Sequence, residues 1–119
     1  SGAAVSALLK FYKIEPSKLI VLHDELDIAF GTMRLKLGGG DNGHNGLRSI
    51  RSATGGGEWY RVRLGIGRPP GLMDPAAFVL RQFRRDEAAT LDEFCIQARL
   101  AIESLITEGL PAAQGRFNQ

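Results

Sequence analysis

A single cysteine, Cys95, excludes a disulfide framework and a cysteine-based zinc site, and it fits a reducing, cytoplasmic setting. Its place in a helical register assigns it the role of a small buried hydrophobe. Neither of the two histidines, His23 and His44, lies near it in sequence to activate it as a nucleophile. No apolar run approaches the roughly 20 residues needed to cross a bilayer, so a membrane partner is not expected. A charged leader with an apolar core is also missing, as are internal repeats and long low-complexity tracts. The chain opens Ser1-Gly2-Ala3-Ala4-Val5 in place of an initiating Met, which leads to the expectation that it is cut from something longer.

What is present suits one soluble domain spanning residues 1–119, of 12.9 kDa, with 44% hydrophobic and 24% charged residues. The net charge of +2 is unevenly spread. Between Arg34 and Arg68 lie seven basic residues and two acidic ones, whereas both flanking stretches are slightly acidic. Such a central cationic excess is the footprint of a phosphate-rich partner.

Periodicity supplies the elements. Val5, Leu8, Leu9 and Tyr12 recur at helical spacing before Pro16. Lys18 to His23 is a short β-branched run, expected as a buried parallel strand ending in the carboxylates Asp24, Glu25 and Asp27. Thr32 to Leu37 and Tyr60 to Ile66 alternate, each with two cations on its polar face: Arg34 and Lys36 on one, Arg61 and Arg63 on the other. A short helix through Leu47, Ile50 and Arg51 follows a glycine-rich loop. Asp74-Pro75 has the form of a helix start, with Phe78, Leu80 and Phe83 apolar behind it. Asp86 is expected to cap a last helix through Leu91, Phe94, Cys95, Ala98, Ile102 and Leu105 that stops at Gly109. The segment from Pro111 shows no periodicity and is expected to end without regular structure.

Three groups of residues can carry chemistry. Arg34, Lys36, Arg61 and Arg63 share one sheet face if their strands are neighbours, and like charges side by side call for an anion between them. The alternative is that they splay into water or meet carboxylates. The loop from Gly38 to Gly46 matches neither a P-loop nor a dinucleotide fingerprint. Its Gly43-His44-Asn45-Gly46 offers two hydrogen-bonding side chains between glycines at a helix start, with Asn45 either a substrate ligand or an N-cap. Asp24, at the strand end, either orients an imidazole or caps a turn. A metal held by His23, Asp24, Asp27 and His44 has no spacing rule behind it.

Taken in order, His23-Asp24-Glu25-Leu26-Asp27, Gly38-Gly39-Gly40 leading to Gly43-His44-Asn45-Gly46-Leu47, Arg61-Val62-Arg63-Leu64-Gly65-Ile66-Gly67-Arg68-Pro69 and Phe78-Val79-Leu80 with Phe83 resemble bacterial peptidyl-tRNA hydrolases over nearly the whole chain. The resemblance implies an α/β fold: a mixed, mostly parallel twisted sheet flanked by helices, here incomplete at its N-terminal βαβ portion. It implies hydrolysis of the ester between a peptide and tRNA, by a cytoplasmic monomer with no cofactor and no metal. The partner is peptidyl-tRNA, through its acceptor end and 5′ phosphate region.

Residue by residue, the resemblance makes Asp24 the acid that pairs with the catalytic histidine. Asn45 becomes the asparagine that holds substrate and the attacking water, with Gly43 and His44 beside it, and Lys36 and Arg63 become the clamp on a tRNA phosphate. Pro70 to Phe83 corresponds to the lid. The family's catalytic histidine aligns with neither His23 nor His44, so the chain alone is expected to be nearly inactive, with a non-catalytic tRNA-binding module as the alternative reading. If central strands are missing, the edge of the strand at Lys18 to His23 is expected to promote self-association.

Overall fold

A computed structural model describes residues 1–68, 71, 74 and 85–118. Its elements are helix α1 (Gly2–Phe11), a 3-10 turn (Pro16–Lys18), strands β1 (Ile20–Glu25) and β2 (Met33–Leu37), helix α2 (Asn45–Thr54), strand β3 (Tyr60–Gly65), and helices α3 (Arg85–Glu108) and α4 (Leu110–Phe117). The architecture is α/β, and the described residues form a mixed three-stranded sheet in the order β1-β3-β2. Amide bonds from Tyr60 to Leu19 and from Ile66 to Glu25 advance together, so β1 and β3 are parallel. Those from Gly38 to Trp59 and from Gly65 to Thr32 run oppositely, so β2 and β3 are antiparallel.

Two compact units are distinguishable, Ser1–Val21 with Lys36–Arg61, and Leu22–Leu35 with Val62–Gln119. In the first, α1 packs on α2. The amphipathic spacing of α2 buries Leu47 and Ile50 against Trp59, with Val5, Leu19 and Val21 around them, and leaves Arg48 and Arg51 outside. The helices approach closely at Gly2, whose N–H donates to Ser49 Oγ at 2.9 Å and where a Cβ would stand 2.1 Å from Ser49 O. Helix α2 ends at Gly55, whose φ of 80° and ψ of 14° make a left-handed cap.

In the second unit, Ile28, Met33, Leu35 and Val62 are buried, as is the α3 stripe Phe94, Ala98, Ala101 and Leu105. Cys95 stands one residue round from that stripe and is exposed, which overturns its expected burial. The segment after Pro111 is likewise not irregular: it forms α4, with Gly109 at φ 91° before it and Pro111 in its first turn. Tertiary polar contacts hold it there. Asn118 Oδ1 accepts from Leu35 N–H at 2.6 Å, and Gln114 Nε2 donates to Leu35 O at 3.1 Å, so side chains cover the strand edge at Leu35.

Two boundaries and the cover of one strand differ from expectation. The bond from Ile66 N–H to Glu25 O carries β1 past its apolar run, which places Asp24 and Glu25 inside the strand rather than beyond it. Leu22 is 46% exposed, so β1 is only partly covered and, among the described residues, forms one edge of the sheet. Asp86 lies inside α3 rather than ahead of it. The expected helix from Pro75 through Phe83, and the lid apart from Gly71 and Asp74, lie outside the described residues.

Candidate functional site

The glycine-rich loop lies in the first unit and is folded by its own side chains. His44 N–H donates to Asp41 O at 2.8 Å, closing a turn whose central residues, Asn42 and Gly43, have φ of 49° and 80°. Asn and Gly tolerate that conformation best, so the sequence Asn42-Gly43 is what such a turn requires. The Asp41 carboxylate accepts from Gly43 N–H at 3.0 Å and faces Arg48 at 3.7 Å. Helix α2 then starts with His44 as its cap, Nδ1 accepting from Leu47 N–H at 3.2 Å, which leaves Nε2 as the ring N–H. The ring lies over Gly46, where a Cβ would come within 2.9 Å of Cε1. The N-cap alternative for Asn45 is therefore overturned, because a histidine takes that position. Asn45 is the first helical residue and is exposed.

The cationic ladder also needs correction. Arg61 is 1% exposed, with its guanidinium directed into the protein. Nη1 donates to Gly40 O, and Nη2 donates to Gly39 O at 2.7 Å and to Gly57 O at 3.2 Å. Its Cζ sits 4.0 Å from the centroid of the Trp59 ring. Carbonyl dipoles and an aromatic face thus solvate this cation, and it presents no charge to a ligand. Lys36, half-buried on β2, lies beside the same loop, its Nζ 2.6 Å from where a Cβ on Gly39 would be.

The second unit holds Asp24 and Arg63. Asp24 is half-buried on β1, and its neighbour His23, on the opposite face by strand alternation, is buried. The Nδ1–H of His23 donates to the main-chain oxygen of Asp24 at 2.8 Å and not to its carboxylate. Arg63 is half-buried on β3, and its buried Nε has no hydrogen-bond partner among the described residues. Burial pulls its pKa below the usual arginine value, Glu25 opposes that shift, and the neighbouring Arg34 adds to it. Asp27 forms an exposed ion pair with Arg68, with Nε at 2.9 Å. Among the described residues, His, Cys, Asp and Glu side chains are nowhere gathered in threes as a metal would require.

The candidate residues are therefore divided: Lys36, Gly43, His44 and Asn45 belong to the first unit, Asp24 and Arg63 to the second. Sequence reasoning missed two roles, the Arg61 anchor and the His44 cap. A signal for the first is the run of glycines at 38–40 and 55–57, whose bare carbonyls can crowd around one guanidinium.

Comparison with known proteins extends these observations to the whole chain. The peptidyl-tRNA hydrolase family model matches residues 1–119. The chain is 57% identical to the peptidyl-tRNA hydrolase of Frankia alni over 118 residues, covering 99% of this chain and 60% of that protein. It is 52% identical to that of Rhodococcus jostii, covering 99% and 62%. The crystal structure of peptidyl-tRNA hydrolase from Acinetobacter baumannii superimposes with a TM-score of 0.85 at 35% identity, covering 98% of this chain and 59% of that one. The chain thus spans about 60% of the length of the curated relatives it matches. By the match along all of its residues and the agreement in fold, the chain belongs to the peptidyl-tRNA hydrolase family.

Proposed function

We propose that these residues serve the hydrolysis of the ester between a peptide and tRNA, with water as nucleophile, in the cytoplasm. The family match over residues 1–119 carries the reading. In the proposed reaction, water adds to the ester carbonyl and gives its proton to a histidine, and the tetrahedral intermediate then expels the tRNA hydroxyl, which takes the proton back. Asp24 orients that histidine and stabilises its protonated form. Asn45 holds the substrate and the attacking water, while Gly43 and His44 line the approach.

Lys36 and Arg63 hold a phosphate near the acceptor end and the 5′ terminus of tRNA. The buried Nε of Arg63, which has no hydrogen-bond partner among the described residues, and the second cation beside it support this assignment because an arriving anion would offset both costs. We assign the base to neither His23, which is buried, nor His44, whose Nδ1 caps a helix and whose Nε2 carries the ring proton. The 119 residues by themselves therefore bind tRNA but hydrolyse its ester slowly, by about two to four orders of magnitude relative to a family member with its base.

The test is single-turnover hydrolysis of an N-acetylated aminoacyl-tRNA by the 119-residue chain, with tRNA binding followed in parallel. Binding with negligible hydrolysis supports the assignment. Rapid hydrolysis overturns the exclusion of His23 and His44, and absence of binding overturns the phosphate clamp.

A further inference from the structure

We infer that Arg61, which never reaches the ligand, is a positioning residue for Lys36. The inference rests on the reading of Lys36 as a phosphate ligand. One guanidinium gathers the carbonyls of Gly39, Gly40 and Gly57. These lie on two chain segments, and Gly39 is the residue against which the Lys36 ammonium lies. The crossing is tight: a Cβ on Gly57 would stand 2.8 Å from Gly39 O and 3.0 Å from Arg61 Nη2. Gly39 has a φ of 105°, so its carbonyl points where it does only while the loop keeps this path. Stacking on Trp59 fixes the plane of the fork.

Lysine at position 61 retains the charge but not the planar fork, so it cannot hold three carbonyls and stack at once. Loss of the anchor frees Gly38 to Gly40 and with them the surface that places Lys36. The effect of Arg61 on tRNA binding is therefore exerted through Lys36 and disappears when Lys36 is removed. An arginine that merely stabilised the fold would act independently of Lys36.

The experiment is a double-mutant cycle on tRNA affinity, read by fluorescence anisotropy with the 119-residue chain, Arg61→Lys, Lys36→Ala and the double variant. Salt dependence is recorded for each, at a temperature where circular dichroism shows every variant folded. Lys36→Ala is expected to weaken binding about tenfold and lower the salt slope by about one. Arg61→Lys is expected to do the same, and the double variant to bind no worse than Lys36→Ala.

Losses that multiply to about a hundredfold overturn the inference, as does Arg61→Lys binding like the unmodified chain. Gly57→Ala, which presses on Gly39 O without removing a charge, replaces Arg61→Lys should that variant fail to fold, with the same expected coupling to Lys36. If the unmodified chain does not bind tRNA, or if Lys36→Ala binds normally, the functional reading itself falls and this inference with it. Multiplying losses beside a normal Lys36→Ala defect remove the inference alone.

Discussion

Arg61 and Trp59, two residues apart at the start of β3, form a buried stack with the guanidinium carbon 4.0 Å from the ring centroid. Trp59 also donates its indole N–H to Gly56 O at 2.9 Å, so ring and cation together tie the glycines of positions 39, 40, 56 and 57 to the end of the sheet. The ring is fully buried against Leu47 and Ile50. Trp59→Ala removes a large core side chain and the face beneath a buried cation together. It should cost about 3–5 kcal/mol, a large share of a domain's usual stability. Urea denaturation followed by circular dichroism checks this, and Trp59→Phe should recover more than half of the loss.

The glycines divide by what surrounds them. A Cβ at Gly65 would lie 2.2 Å from Ala29 O and 2.7 Å from Ile28 Cγ2, while at Gly56 nothing stands within 4 Å. Gly65→Ala should therefore destabilise the protein by about 1–3 kcal/mol, and Gly56→Ala should change stability by less than about 0.5 kcal/mol. Equal melting temperatures for the two variants would contradict the close approach at Gly65.

Most elements were legible because their periodicities were clean: α1, β2, α2 and β3 form where apolar residues recur at helical or alternating spacing. Alternation alone does not determine exposure in a central strand. Strand β3 lies between β1 and β2, and its consecutive residues Arg61 and Val62 are both buried, so an arginine on its polar face was not in water. The cap at His44 is hard to see in the sequence because histidine is uncommon there, although its Nδ1 accepts like an Asn oxygen. Helix α4 left little trace because polar bonds to Leu35, rather than an apolar stripe, fix it.

Those bonds can be removed singly. Asn118→Ala would take away the acceptor for Leu35 N–H and leave a half-covered strand edge. A loss of about 1–2 kcal/mol is expected, with faster hydrogen exchange at the Leu35 amide than at the buried amides of β3. Unchanged exchange at Leu35 would mean that the side chain does not protect the edge in solution.

The last prediction separates the two charged residues to which different work is assigned. Asp24 is half-buried and is proposed to orient a histidine, so it has no part in holding phosphate. Arg63 is proposed to hold phosphate directly, and its buried Nε has no hydrogen-bond partner among the described residues. Asp24→Asn keeps shape and removes charge, so tRNA affinity of the 119-residue chain should stay within about twofold and its salt slope should not fall. Arg63→Lys keeps the charge but loses the fork, and binding should weaken by about tenfold. Arg63→Ala should weaken it further and lower the slope by about one. The lysine variant distinguishes a shaped phosphate site from diffuse attraction. If lysine binds as well as arginine, position 63 contributes charge alone and the clamp is not a clamp. If Asp24→Asn weakens binding as much as Arg63→Ala does, the acid belongs to the binding surface, and its proposed partnership with the catalytic histidine loses its basis.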